Sequence, residues 1–305
     1  MTEGDSPTVA RRRIRLALRE ARDAAGLTQM QVAEEMEWSL SKVIRIENGD
    51  VTIAPNDLRP LLSFYGIKDR KQVSDLLTSA RIARARQRQA WYQTPDFREH
   101  LSDATRRLIE YEIEAVAIRS YSIYYIPGFL QTERYAAALT GKFGEELASP
   151  KKELLLAARQ NRRQTLLSRL AAVEVFVLLE ESVFMRPIGG EETFAEQLHE
   201  MRRVAAEGQI HLRMLPFALD YPIANNGSYD LMALSTEDTD SEVLYRENGM
   251  NDEIVEDKTT TQRHRQRFDQ LWHLSKDEPD TIRFIDTRIK KLETRSPSPD
   301  IPELE

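Results

Sequence analysis

Residues 27–50, LTQMQVAEEMEWSLSKVIRIENGD, hold hydroxyl, amide, ammonium and guanidinium groups at spacings that suit hydrogen bonding to a polyanion rather than bond-breaking chemistry. Read as a helix from Ser39, with an advance of ~100° per residue and Ser41 set at 0°, Val43 falls at ~200°, Ile46 at ~140° and Glu47 at ~240°. Arg45 falls at ~40° and Asn48 at ~340°. One side is therefore built for packing, and the other presents Ser41 and Arg45, with Leu40 and Lys42 near the N-terminal end. This division suits a helix whose first residues reach base edges in a major groove ~12 Å wide while its back face anchors it. Arg45 is placed to pair bidentately with a guanine, and Lys42 and Gln29 to hold phosphates near helix N-termini.

Such a helix needs neighbours, and the first ninety residues supply five short helices. Val9 to Ala25 carries Ile14, Ala17, Leu18 and Ala21 at helical spacing, with Gly26 as stop. Thr28 caps a second helix containing Val32, Ala33 and Met36, and Ser39 caps the third, which Gly49 ends. Pro55 opens a fourth helix closed by Gly66, and a fifth runs from Arg70 to about Gln89, ending in the basic run Arg81, Arg84, Arg86 and Arg88. That run reads as a solvated helix face.

Beyond Trp91-Tyr92, the segment Gln93 to His100 contains Pro95 and reads as a linker. A long helix is expected over Ser102 to Ser120, then a Tyr-rich stretch at 121–125, a helix through Ala138 after Pro127-Gly128, and another over Lys151 to Leu170. Val173 to Leu179, Ile210 to Leu215, Ser228 to Leu234 and Glu242 to Arg246 read as strands, the first two joined by a helix over Glu191 to Ala206. Helices over Asp257 to Leu274 and Asp280 to Leu292 follow. The expected class is a mainly α N-terminal helix-turn-helix domain plus an α+β C-terminal domain with a small mixed sheet. The expected division is a flexible N-terminus at 1–9, the helical domain at 10–90, a linker at 91–100, an effector, dimerisation and partner-binding domain at 101–293, and a disordered tail at 294–305.

Composition narrows the chemistry. The chain has 305 residues, room for about two domains. Absence of Cys removes disulfides, thiolate nucleophiles and zinc-finger or iron–sulfur ligation. The net charge of −7 is unevenly spread: residues 1–91 carry 16 Lys+Arg against 12 Asp+Glu, leaving 27 against 38 for residues 92–305. A net of +4 beside a net of −11 points to a basic module with an anionic partner, joined to something acidic. His199-Glu200 lacks the second His of a zinc-protease helix, and Gly189-Gly190 precedes no Lys-Ser/Thr of a phosphate loop. His264 falls on an apolar face with Phe268, Leu271 and Trp272, and His273 points to solvent. No enzyme, metal or cofactor is expected. Tyr121 to Tyr125 and Phe129 are the residues from which a ligand pocket could be built, although aromatics beside a Pro-Gly turn are usually core. No apolar run approaches the ~18 residues of a membrane crossing, and the polar, basic N-terminus lacks a signal-peptide pattern; a cytoplasmic protein is expected, nucleoid-associated when on DNA.

Residues 10–90 resemble the lambda-repressor-like (Xre-type) helix-turn-helix domain, whose L-T-Q-x-x-x-A and S-x-S-K-V-x-R-I-E-N-G signatures residues 27–49 follow closely. The resemblance implies that Gln29 contacts a phosphate, that Leu40, Ser41 and Arg45 face the groove, and that Arg22 and Glu47 form a structural ion pair. With the residues read above, the expected DNA-contacting set is Gln29, Ser39, Leu40, Ser41, Lys42 and Arg45. Ile44 stands where Ser is common in that family. The elements Trp91-Tyr92, YEIEAVAIRSY (111–121), IPGFLQTERYAAAL (126–139), RRQTLL (162–167), FMRPIGG (184–190) and LPF (215–217) resemble the C-terminal domain of antitoxin-like Xre regulators common in filamentous actinobacteria. Departures are Tyr92 in place of a second Trp and the variable segment around Asn225 to Ser228. This second resemblance implies a transcriptional regulator controlled by a small acidic partner protein encoded nearby. A homodimer is expected, because one short recognition helix discriminates poorly and two-fold assembly pairs half-sites ~34 Å apart. The alternative keeps the DNA-binding head and makes the acidic domain a small-molecule sensor.

Overall fold

The computed structural model describes residues 7–84, 90–143, 149–221, 227–236, 241–247 and 252–294. They divide into two compact units between Ala90 and Trp91. The first unit is five helices: α1 (Pro7–Ala24), α2 (Gln29–Glu35), α3 (Leu40–Asn48), α4 (Pro55–Phe64) and α5 (Arg70–Ala83). Their apolar faces share one core, with Ile14 and Leu18 of α1, Val32 and Ala33 of α2, Val43 and Ile46 of α3, Leu58, Leu61 and Leu62 of α4, and Leu76, Leu77 and Ala80 of α5 all buried. Burying about ten Leu, Ile and Val side chains at ~1.5–3 kcal/mol each is the main force holding such short helices, which are marginal alone. Residues 7–9 lie in α1 rather than in a flexible N-terminus, because Pro7 is a suitable first helical residue and Thr8 and Ala10 are already buried. Residues 1–6 and 85–89, the latter including Arg86 and Arg88, lie outside the described residues, as do residues 295–305 of the expected tail.

In the second unit, the segment expected as a linker carries a 3-10 turn at Trp91–Gln93 and a helix α6 (Pro95–His100). Pro95 begins this helix instead of breaking the chain, since a first-turn N–H needs no helical partner. Trp91 packs edge-on against Tyr92 and Phe97, with ring centroids at 5.6 and 5.0 Å. Ser102 caps α7 (Asp103–Glu114), and then the reading as one long helix fails: Ala117–Ser122 is a strand, β1. The order continues with α8 (Glu133–Phe143), α9 (Ser149–Leu167), β2 (Glu174–Glu180), α10 (Glu181–Met185), α11 (Glu191–Ala206), β3 (His211–Leu215), β4 (Ser228–Ala233), β5 (Glu242–Glu247), β6 (Asp252–Val255), α12 (Lys258–Leu274) and α13 (Glu278–Glu293).

The six strands form one mixed sheet in the order β3-β2-β1-β4-β5-β6. β1, β2 and β3 run parallel, with Tyr121 opposite Leu178 and Leu178 opposite Arg213, while β4, β5 and β6 add antiparallel neighbours, Tyr121 also facing Tyr229. β1 is central and buried on both pleats. Tyr121, Leu178, Tyr229, Leu231 and Leu244 pack under Phe268 and Leu271 of α12, whereas Ile118, Val177 and Leu179 on the opposite pleat are buried as well. A strand covered on both sides loses the alternation that marks a half-exposed one. Here that strand also begins with Ala and holds an Arg, both good helix formers, so its sequence looked helical.

Candidate nucleic-acid interface

The turn between α2 and α3 is fixed by its caps. Thr28 Oγ1 accepts the Gln31 N–H at 3.2 Å while Gln31 Oε1 accepts the Thr28 N–H at 2.8 Å, a reciprocal box that defines the start of α2. Glu37 adopts φ 53°, a left-handed turn residue, and the Trp38 N–H donates to Ala33 O at 2.8 Å. Ser39 Oγ accepts the Lys42 N–H at 3.2 Å and starts α3. Gly49 ends it at φ 81°, where an added Cβ would lie 3.0 Å from Arg15 Cδ; a side chain there would be strained and crowded.

On α3, Val43, Ile46 and Glu47 are buried, Ser41, Arg45 and Asn48 are exposed, and Leu40, Lys42 and Ile44 are half-buried. This is the division that the helical angles require. The Arg45 guanidinium has no hydrogen-bond partner among the described residues, and Ser41 stands beside it in the open. Ser39 spends its hydroxyl on the cap, and Leu40 packs partly against the core. Arg19 of α1 reaches Asn48 Oδ1 at 2.8 Å and so joins the exposed edge of α3, a contact that the sequence did not signal.

Glu47 is the anchor. Its carboxylate is only 2% exposed and accepts Arg22 Nε at 2.7 Å, Arg22 Nη2 at 3.2 Å and Gln29 Nε2 at 2.8 Å. Arg22 also donates to Leu27 O at 2.9 Å and to Asp23 Oδ1 at 2.7 Å. The hydrogen bond to Glu47 outweighs partial burial and raises the Arg22 pKa, so the guanidinium stays charged. Nearby, burial first and the Glu47 charge second push the Tyr65 phenol up, keeping it neutral. Gln29 is also engaged inward: the side-chain amide expected on a phosphate donates a hydrogen bond to Glu47. Lys42 is engaged too, with Nζ 3.1 Å from Asp57 Oδ2 and 3.8 Å from the Trp38 ring centroid. Neither contact was visible in the sequence, since Asp57 lies 15 positions away on another helix.

The second unit uses its motifs for structure. Glu112 and Arg162 form a bidentate pair at 2.7 and 2.9 Å, and Arg169 donates to the carbonyls of Glu112 and Ala115 at 2.8 and 3.1 Å, which ties α9 to the end of α7. Burial opposes the Arg162 charge, yet the Glu112 carboxylate overrides it and raises the pKa. Gly189, at φ 82°, would place a Cβ 2.8 Å from Ala138 Cβ and 2.9 Å from Thr193 Cγ2, so Gly189 is a close-packing device, whereas a Cβ on Gly190 would meet open space. Tyr121 and Phe129, two residues expected as possible pocket lining, are buried side chains of the core. His264 is buried with Nδ1 2.8 Å from Thr260 O, and burial lowers its pKa. His199 pairs with Glu293 at 2.8 Å, and His273 is exposed. Among the described residues no group of three or more His, Asp or Glu is placed to hold a metal ion, and no helix is long and apolar enough to cross a membrane.

Two family models match the chain. One, described as a helix-turn-helix domain, covers residues 13–76 and so takes in most of α1, all of α2 to α4 and part of α5. The other, described as a domain of unknown function (DUF5753), covers residues 105–287. No curated protein and no solved structure matches.

Proposed function

The chain belongs to the DUF5753 family and carries a helix-turn-helix domain ahead of it, and on that premise we propose that it is a sequence-specific DNA-binding transcriptional regulator of the Xre type. The observation that carries this reading is α3: Ser41 and Arg45 stand exposed on one side, while Val43, Ile46 and the Glu47 hub fix the other. In this reading α3 enters a major groove, Arg45 reads a purine, Ser41 and Leu40 contact neighbouring bases, and Ser39, Lys42 and Gln29 lie near the backbone phosphates. The cytoplasm is the compartment where such a duplex is met.

The second unit receives the controlling signal and dimerises, which pairs two recognition helices on half-sites ~34 Å apart or a multiple of it. Control by a small acidic partner protein, antitoxin-like, is the form of signal that the motifs of residues 91–217 favour. Residues 92–305 are themselves strongly acidic, so a partner of the same sign has to be held by apolar contact rather than by charge. Exposed apolar side chains support this: Tyr124, Met185 and Phe217 follow the carboxyl ends of β1, β2 and β3. α10 ties these loops together, with Ser182 donating to Ile123 O at 2.8 Å and Glu181 accepting the Phe217 N–H at 2.9 Å.

Selection of a binding site from a random duplex pool, followed by salt titration, tests the DNA reading. Affinity should fall steeply and linearly with log salt, and Arg45→Ala should weaken the selected site by ~1–3 kcal/mol while leaving random duplex nearly unchanged. A flat salt response removes the reading; equal losses on both duplexes demote Arg45 to a phosphate contact.

A further inference from the structure

Lys42 stands next to Ser41 on α3, where its charge would face a phosphate backbone. Instead, its ammonium lies 3.1 Å from Asp57 Oδ2 and 3.8 Å from the Trp38 ring centroid. Trp38 belongs to the turn before α3 and Asp57 to the first turn of α4, so the cation is held by the two elements that flank the recognition helix. Stability does not explain the arrangement. The two side chains are 38% and 42% exposed, and pairs so open to solvent contribute little to folding. Asp57 also suits the positive end of α4, but that role needs no lysine.

Its consequence is electrostatic. Sequence-independent attraction to a duplex grows with the number of phosphates that a protein neutralises, each steepening the slope of log affinity on log salt by about 0.9. A lysine committed to a carboxylate neutralises none until a phosphate displaces its partner, and the displaced carboxylate then repels that phosphate. We propose that Asp57 is an electrostatic brake on sequence-independent DNA attraction, acting by holding the Lys42 ammonium against the Trp38 ring. This rests on the DNA-binding reading of α3.

The test uses the full chain and a labelled random-sequence duplex of about 30 base pairs, with fluorescence anisotropy from about 50 to about 300 mM KCl. Asp57→Asn should bind this duplex about two- to five-fold tighter, with a slope steeper by about one phosphate equivalent. Lys42→Ala alone should bind the duplex more weakly and with a shallower slope, because it leaves the Asp57 carboxylate unmatched beside the phosphates. The double variant Lys42→Ala/Asp57→Asn should return to the parent affinity and slope. The proposal is overturned if Asp57→Asn leaves both quantities unchanged, or if its gain survives in the double variant. A parent protein with no salt-sensitive duplex binding would instead sink the DNA reading itself, so the two failures are distinct. Asp57→Ser removes the same carboxylate and stands in should the Asn variant not fold, as judged by its thermal melt.

Discussion

Glu47→Gln is the perturbation that most directly tests how α3 is held. The native carboxylate is nearly sealed from solvent and accepts three hydrogen bonds, two from Arg22 and one from Gln29. Hydrogen bonds to charged groups contribute ~1.5–3 kcal/mol each, and breaking one partner of a buried pair costs about 3–5 kcal/mol because the other charge is stranded. The amide can accept at one oxygen only, and its NH2 group faces the donors of Arg22. A loss of about 3 kcal/mol is expected. At ~4–8 °C per kcal/mol for a 60–100-residue domain, the melting temperature of the helical unit should fall by roughly 12–24 °C. Hydrogen exchange reads it locally: protection should drop in peptides covering residues 27–50, with peptides from β2 and β3 as the internal control. A cycle completes the argument. Arg22→Met and Glu47→Leu should each be destabilising, yet the double variant should recover much of the loss, since an apolar pair strands no charge. Strict additivity of the two single losses, or a Glu47→Gln loss below ~0.5 kcal/mol, would refute the buried-pair account.

Two further outcomes follow from the second unit. Gly189→Ala should cost roughly 1–3 kcal/mol in a urea melt, from a left-handed backbone and a Cβ placed 2.8 Å from that of Ala138; a neutral result would mean that the loop before α11 moves freely. Burial raises the Glu180 carboxyl above its ordinary 4.5, against the Tyr121 hydroxyl that donates to it at 2.6 Å. A raised folded pKa gives stability that is complete below 4.5 and lost as pH climbs through the folded value. Glu180→Gln keeps an acceptor for Tyr121 and has no proton to lose, so it should melt higher than the parent at pH 7, with the advantage vanishing near pH 4. A variant equally destabilised at both pH values would contradict this.

The helical unit was legible because its determinants are local: Thr28, Ser39, Gly26, Gly49 and Pro55 act on their own turns, and the 3.6-residue rhythm sorts Val43 and Ile46 from Ser41 and Arg45. The errors arose where tertiary context overrides local preference. β1 read as the end of α7 because its hydrophobic pattern carries no alternation, and β6, with DEIV as its whole sequence, is an edge strand too short and too polar to stand out, although the turn dipeptide Asn248-Gly249 precedes it in the sequence. α6 was hidden by treating Pro95 only as a breaker. In the site, exposure and cap roles were readable from spacing. The engagement of Gln29 by Glu47 and of Lys42 by Asp57 was not, since each partner is 15 or more positions away and no periodicity relates two separate helices.

Two carboxylates grip the recognition helix, and their environments decide what each can do. Glu47 is buried, so its charge is unscreened and its donors are fixed; at ~3–5 kcal/mol for a broken pair, it has the magnitude to set the orientation of α3 against α1. Asp57 is 42% exposed, so water and salt reduce its pair with Lys42 to ~0–1 kcal/mol, too little to orient a helix. That same weakness makes it adjustable: a phosphate can compete for Lys42, whereas nothing outside can reach Arg22 through Glu47. Reading a base with Arg45 demands a rigid helix, because a mobile one would add lost backbone freedom to the ~2 kcal/mol of rotamer entropy that a guanidinium already surrenders. On the proposed DNA-binding reading, sequence discrimination and general duplex attraction would rest on different carboxylates around one nine-residue helix, the sealed one holding Arg45 in place and the open one governing the neighbouring cation.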